Sequence, residues 1–200
     1  MDTTLIAKFT AAILSLPQLQ DEIRKESYVE NLSSAIYYAV DRATCSDGIV
    51  SDCKRIWRGS PEDLGLGLIT LNWWESKFSE RIQAGNCYRG ECDYFAIRNS
   101  AGIIMKEFFR ARSGWQIQFN PVLMTRQEWI GIVGTNFEGI ANAAWVATKV
   151  ISASAEHCHS IVFNQCVISN YAGVRGIYAG AQNRFATFEK LKKISDGIKP

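Results

Sequence analysis

The sequence predicts a mainly α-helical fold with a small β or irregular insertion near residues 86–118, on three observations. Over most of the chain apolar residues recur at spacings of three and four, the mark of helices that bury one face. From Asn86 to Gln118 that period weakens and turn residues gather. No internal repeat or low-complexity tract interrupts the rest, and 200 residues are enough for one hydrophobic core.

Taken in order, Thr3 to Leu16 reads as a first helix, halted at Pro17 by the missing donor and the ring clash. Tyr28, Leu32, Ile36, Ala39 and Val40 keep helical spacing and define a second helix ending near Thr44. Residues 1–55 are therefore expected to form an N-terminal helical extension on a body spanning 56–200. Cys45 to Gly59, with Gly48, Ile49 and Val50, reads as the joining loop. Ser60 then opens the central helix: a capping hydroxyl, Pro61 at the first helical position, and Glu62 and Asp63 in the first turn. Its apolar residues Leu64, Leu68, Leu71, Phe78 and Ile82 carry it to the terminators Ala84, Gly85 and Asn86.

Within the insertion, Tyr94, Phe95 and Ile97 followed by Arg98, Asn99, Ser100 and Gly102 fit a short strand and hairpin, while Ile103 to Ala111 fits a helix equally well. Ser113 to Val122 reads as a mixed loop. Thr135 and Glu138 have capping-box spacing ahead of a long Ala-rich helix through Ile151. A further helix covers Ile161 to Tyr171 and stops at Gly173. Phe185, Phe188, Leu191 and Ile194 define the last, closed by Gly197.

Composition narrows the function. The net charge is only +2, with Lys and Arg scattered among acids, so no basic stripe points to nucleic acid. No segment reaches the run of about 18 to 20 apolar residues that a membrane span needs, and no stable membrane insertion is expected. In the apolar stretch Leu5 to Pro17, Asp2 leads and Lys8 interrupts, the charge order of an amphipathic helix and not of a signal peptide.

Six cysteines, at 45, 53, 87, 92, 158 and 166, allow up to three disulfides. Cys87 and Cys92 bracket a turn and suit a bridge. Cys158 and Cys166, if on one helix, lie about 12 Å apart along its axis, too far to bond. Free buried cysteines are the competing reading. The spacings and the two histidines do not suit a structural zinc site, and neither metal nor cofactor is expected.

One residue stands out. Glu75 fills the gap in the central helix's apolar stripe, where burial would favour the protonated carboxyl that a general acid needs. The alternative is a partly buried structural residue with a hydrogen-bond partner.

The runs Trp74-Glu75-Ser76-Lys77-Phe78, then Ser113-Gly114-Trp115-Gln116-Ile117, then Asn170-Tyr171-Ala172-Gly173 resemble, in order, three signatures of lysozyme-like lytic transglycosylases and goose-type lysozymes. In that family a helix ends in Glu-Ser-x-Phe, a loop carries a Gly-hydrophobic-Gln run, and a later helix ends in Tyr-Asn-Ala-Gly. The resemblance covers residues 60–190. It departs in a longer Glu75 to Gln116 interval, a shifted glycine at 114, and the absence of Asn between Tyr171 and Ala172.

The resemblance implies an α+β lysozyme-like catalytic domain over 56–200 that cleaves peptidoglycan glycan strands, Glu75 acting as acid and then base. Most glycosidases need a second carboxylate, but an N-acetyl sugar can supply its own nucleophile. A transglycosylase then ends in a 1,6-anhydro sugar, a lysozyme in a reducing end. Asp93 and Glu91 are the candidate second carboxylates for hydrolysis, against the plain reading of solvated loop acids. Ser76, Gln116, Tyr171, Trp115 and Trp74 are the implied substrate-binding residues, the tryptophans being either sugar platforms or core. His157 and His159 read as surface residues of a polar turn. The implied setting is a bacteriophage lysin or virion protein, acting on the host wall beside other virion proteins, or an effector delivered by a secretion machine. The rivals are a chitinase-like enzyme and a non-catalytic wall-binding or virion module of the same fold.

Overall fold

A computed structural model describes residues 2–17, 25–47, 51, 53–171 and 178–198. The expected turn residues Gly48, Ile49, Val50 and the Ala172-Gly173 half of the third signature lie outside these residues. Helices α1 (Thr3–Ser15), α2 (Glu26–Thr44), α3 (Pro61–Ser76), α4 (Glu80–Gln83), α5 (Arg126–Ile130), α6 (Phe137–His157), α7 (Gln165–Tyr171) and α8 (Tyr178–Asp196) make up most of the fold. Two antiparallel pairs interrupt them: β1 (Tyr94–Arg98) with β2 (Ile104–Phe109), and β3 (Ala111–Arg112) with β4 (Ile117–Gln118). The fold is thus mainly α with a small β insertion, as the lost period between residues 86 and 118 predicted.

The organising element is α3. Ser60 caps it by accepting from the Asp63 N–H at 3.4 Å, with Pro61 at its start. It is not the one-sided helix that the apolar stripe predicted, because every residue from Asp63 to Asn72 is buried. Glycines make this possible. A Cβ on Gly65 would lie 1.9 Å from Phe9 Cζ, and one on Gly67 would lie 2.7 Å from Phe163 Cδ2. Aromatic rings from α1 and from the loop before α7 therefore rest directly on the α3 backbone.

Nor does the helix continue to Ile82. Lys77 and Phe78 both take left-handed backbone, at φ 56° and 61°, and Ser79 caps the short α4 by accepting from Ile82 N–H. The turn swings Phe78 into the core, where it is 2% exposed. Burying the aromatic ring, worth about 1.5–3 kcal/mol, offsets much of the cost of two non-glycine residues in that region, which is of order 1–3 kcal/mol each.

The remaining helices surround α3. α2 lies along α6, and α8 packs on α1, α3 and α7. Phe9 and Ile13 of α1, Leu32 and Ile36 of α2, Leu68 and Leu71 of α3, Ala144 of α6 and Phe188 of α8 belong to one buried cluster. The expected N-terminal extension thus shares its core with the body. Small residues (Ala39 and Ala43 on α2; Ala143, Ala144 and Ala147 on α6) are buried in that cluster, and small side chains let helix axes approach closely. Ion pairs fasten the outer helices to the start of α3: Lys8 to Glu62 and Lys192 to Asp63, both at 2.9 Å.

Other boundaries shift for local reasons. Asn136, not Thr135, caps α6, accepting from Gly139 N–H at 3.1 Å. The capping box is instead Thr125 with Glu128, opening α5. The Ala-rich helix runs on to His157, and α7 begins only at Gln165. The turn between them brings Cys158 and Cys166 to a Cα separation of 6.0 Å, and they are bonded. The premise that both sit on one helix fails, and so does the reading of free cysteines: Cys45–Cys53 and Cys87–Cys92 are bridged as well.

Candidate active site

Where α3 emerges from the core, Glu75 stands on its last turn and lines a cleft of about 860 Å³. Gln116, Trp115, Tyr171 and Asp93 line the same cleft. Residues from all three signatures, separated by tens of positions in the chain, meet there.

Each is positioned by a local device. Gln116 ends the four-residue turn that joins β3 to β4, its own N–H donating to Ser113 O at 3.1 Å. Both ends of that turn, Ser113 and Gln116, have positive φ. Gly114 is required between them, because a Cβ there would lie 2.7 Å from Asn72 Nδ2 on α3. Gln83, fully buried on α4, holds the same turn: its Oε1 accepts from Gly114 N–H at 2.9 Å while Nε2 donates to Ile132 O and Gly134 O. Tyr171 ends α7, and its hydroxyl donates to Trp115 O at 2.8 Å.

The Gln116 amide donates to Ser113 O at 3.0 Å and approaches Cys92 Sγ of the Cys87–Cys92 bridge at 3.4 Å. Asp93 also lines the cleft and accepts from Gln118 Nε2 at 3.0 Å. Trp115 is wall and core together. Its ring is fully buried and its Nε1 donates to Leu68 O at 2.9 Å, so it supports the site from behind.

The other named residues point elsewhere. Ser76 is buried and donates to Asn72 O at 3.1 Å. Trp74 Nε1 donates to Thr187 Oγ1 on α8, and Trp74 is not among the residues lining the cleft. Glu91 is paired with Arg81 at 2.6 Å and accepts from Tyr88 N–H, away from the cleft.

Several groups at the site had no clear sequence signal. Arg184 of α8 donates from Nη2 to Glu75 Oε1 at 2.7 Å. Lys77, the residue that ends α3, places its Nζ 3.5 Å from the Trp73 ring centre and 4.6 Å from that of Trp74. His157 is exposed, as expected, and lines the open cleft. One signal was readable there: Val150, Ala153, Ser154 and His157 recur at helical spacing, and all four line the cleft as one face of α6.

The electrostatics follow from burial and these neighbours. Burial and the nearby Glu75 charge raise the Tyr171 hydroxyl well above an ordinary tyrosine, with Arg184 opposing, so it stays a neutral donor at physiological pH. Burial lowers Lys77, Arg184 lowers it further, and Glu75 works against both. Among the described residues no group of three or more His, Cys, Asp or Glu is placed to hold a metal ion. No described helix is long and apolar enough to cross a membrane.

Comparison with protein-family models, with curated proteins and with solved structures finds no match to this chain. The functional argument therefore rests on the site itself.

Proposed function

We propose that the protein cleaves the β-1,4 bond between N-acetylmuramic acid and N-acetylglucosamine in peptidoglycan, as a lytic transglycosylase with Glu75 as general acid and then base. The observation that carries this reading is the convergence of Glu75, Gln116 and Tyr171, each from a different signature, on one cleft. The Glu75 carboxyl gives its proton to the leaving glycosidic oxygen as the bond to the anomeric carbon breaks. The carboxylate then takes the proton of the sugar's own 6-hydroxyl as that oxygen attacks the anomeric carbon, closing a 1,6-anhydro ring. No second carboxylate is consumed in this route. Gln116 would hydrogen-bond the sugar, and Tyr171 would present a neutral hydroxyl beside the acid. Three disulfides support work in an oxidising compartment, such as the wall or periplasm of a host cell.

Two further readings have an observation behind them. Asp93 in the cleft lining favours hydrolysis, with water in place of the 6-hydroxyl. The Glu75–Arg184 ion pair favours a wall-binding module without catalysis, since it occupies the carboxylate that the acid role needs. One experiment separates all three. Purified cell walls are digested and the products weighed by mass spectrometry, with Glu75→Gln as control. Anhydro ends that vanish in the variant are expected; reducing ends point to the hydrolase, and a folded wild type releasing nothing leaves the binding module. Full activity in Glu75→Gln would sink the assignment of the acid.

A further inference from the structure

We propose that the β1–β2 hairpin docks the protein on a bilayer rich in anionic phospholipid, its tip entering the headgroup layer without spanning the membrane. The docking is separate from the chemistry assigned to Glu75.

Three apolar side chains are exposed together at the hairpin tip: Ile97 at 47%, Ile103 at 60% and Met105 at 67%. Asn99 fixes the turn that presents them. Its Oδ1 accepts from Ala101 N–H at 3.0 Å and from Ile103 N–H at 2.9 Å, and its own N–H donates to Ile103 O at 3.0 Å. The tip is therefore held in shape before any partner arrives, which lowers the cost of binding. Behind it, β1 and β2 pack chiefly on each other, with the Phe95 and Phe108 rings 5.1 Å apart, and most residues of the ribbon are exposed.

The charge around the tip selects the occupant. Arg98, Lys106 and Arg110 are exposed cations with no ion pair among the described residues, and the hairpin's one acid, Glu107, is taken by Arg89. Lys106 stands across from Ile97 in the register, and Arg98 is held at the turn by donating to Gly102 O at 2.8 Å. Apolar groups at the end of the ribbon and cations just behind them match the layering of a bilayer, acyl chains beneath phosphates.

A protein partner fits this tip less well. A stable interface takes about 800 Å² from each side, and a ribbon of two strands about 5 Å apart ends in a tip too small to supply it. A bilayer sets no such minimum, because each buried methylene and each cation near the surface adds to the affinity. The hairpin is also tied to the cleft at both ends: Asp93, just before β1, and Ala111, just after Arg110, line it. At about 3.3 Å per residue, the six residues of β2 keep the cleft within about 20 Å of the bilayer surface.

The test is flotation of the full chain, at about 0.1 M salt, with vesicles of phosphatidylcholine alone or of phosphatidylcholine and phosphatidylglycerol in equal parts. The wild type is expected to partition about a hundredfold more strongly onto the anionic vesicles, as three cations near the surface imply. Arg98→Gln with Lys106→Gln should weaken that partition about thirtyfold, and Ile103→Ser with Met105→Ser about tenfold. All four side chains are exposed, so unchanged thermal unfolding is expected and shows that the variants are folded. A Met105→Trp reporter should be quenched by phospholipid brominated on its acyl chains. A wild type that stays with the soluble fraction overturns the docking and leaves the tip to a protein partner. Flotation that survives intact in Ile103→Ser with Met105→Ser, or a reporter untouched by the brominated lipid, overturns entry of the tip. A lipid-free dimer in sedimentation equilibrium that the same double variant abolishes assigns the tip to a second copy of the chain and overturns the proposal.

Discussion

Replacing Gln83 by Met tests whether the cleft turn is held from inside the core. Gln83 is fully buried, and its amide joins three segments: Oε1 accepts from Gly114 N–H at 2.9 Å, and Nε2 donates to Ile132 O at 3.2 Å and to Gly134 O at 3.0 Å. Methionine matches the length and shape but offers none of these bonds, so no large cavity complicates the result. Two backbone groups, Gly114 N–H and Ile132 O, then lie buried without partners, and Gly134 O partly so. At about 1–1.5 kcal/mol for each buried group, and less for the third, Gln83→Met should cost roughly 2.5–4 kcal/mol. For a chain of 200 residues that lowers Tm by roughly 5–16 °C. Urea unfolding followed by tryptophan fluorescence measures it directly. A loss under about 1 kcal/mol with unchanged slope would refute the claim that this amide holds the turn. Gln83→Glu supplies a signed control. A carboxyl buried opposite two carbonyl oxygens has its folded pKa raised. Its stability is therefore fullest below the unfolded value of about 4.3 and is lost as pH rises through the folded one.

Two further predictions concern the frame of the site. Replacing Cys158 and Cys166 together by Ser removes a bridge of sequence separation 8 that ties the end of α6 to α7, and should cost about 2.5 kcal/mol by loop entropy while loosening Tyr171; urea unfolding with and without reductant measures the first. Arg81, donating to the Glu91 carboxylate, holds it below its ordinary value of 4.5, with burial opposing and Tyr88 N–H assisting. The stabilisation is therefore complete above pH 4.5 and lost as pH falls through the folded value: Glu91→Gln should cost about 1 kcal/mol at pH 7 and progressively less as pH falls below 4.5 in thermal melts, and a cost that did not shrink would refute the linkage.

What the sequence made legible was periodic or chemical. The start of α3 was readable because Ser60, Pro61, Glu62 and Asp63 each favour a helix start for a separate reason. Its burial on all sides was not, because that depends on rings from Phe9 and Phe163 lying on Gly65 and Gly67, which no local pattern records. The break after Ser76 was hidden for a similar reason: local preference disfavours left-handed Lys77 and Phe78, and tertiary burial of Phe78 overrides it. The missed α5 has only five residues, too short for a period, although its Thr125 and Glu128 box stood in plain sight. At the site, Gln116 and Tyr171 were reachable through ordered signatures. Arg184 was not, since it lies 109 positions from Glu75 in a polar stretch that looks like an exposed helix face.

The Glu75–Arg184 pair is best understood by asking what else holds α8 against α3. Phe188 is buried there, Lys192 pairs with Asp63 at 2.9 Å, Ser195 donates to Glu62, and Thr187 accepts from Trp74 Nε1 at 3.1 Å. The helix is docked without Arg184. A partly buried ion pair adds little net stability once desolvation is counted, and apolar residues of similar volume often do as well. Stability therefore does not explain why a carboxylate and a guanidinium face each other at the cleft. Orientation does explain it. Thr187, Phe188, Lys192 and Ser195 all anchor α8 beyond residue 184, so the guanidinium can hold the Glu75 carboxylate at the cleft wall, at 2.7 Å, without being needed to dock the helix. A carboxylate held in this way stays at the cleft wall, whereas an arginine serving only as a strut would need no partner that lines the cleft.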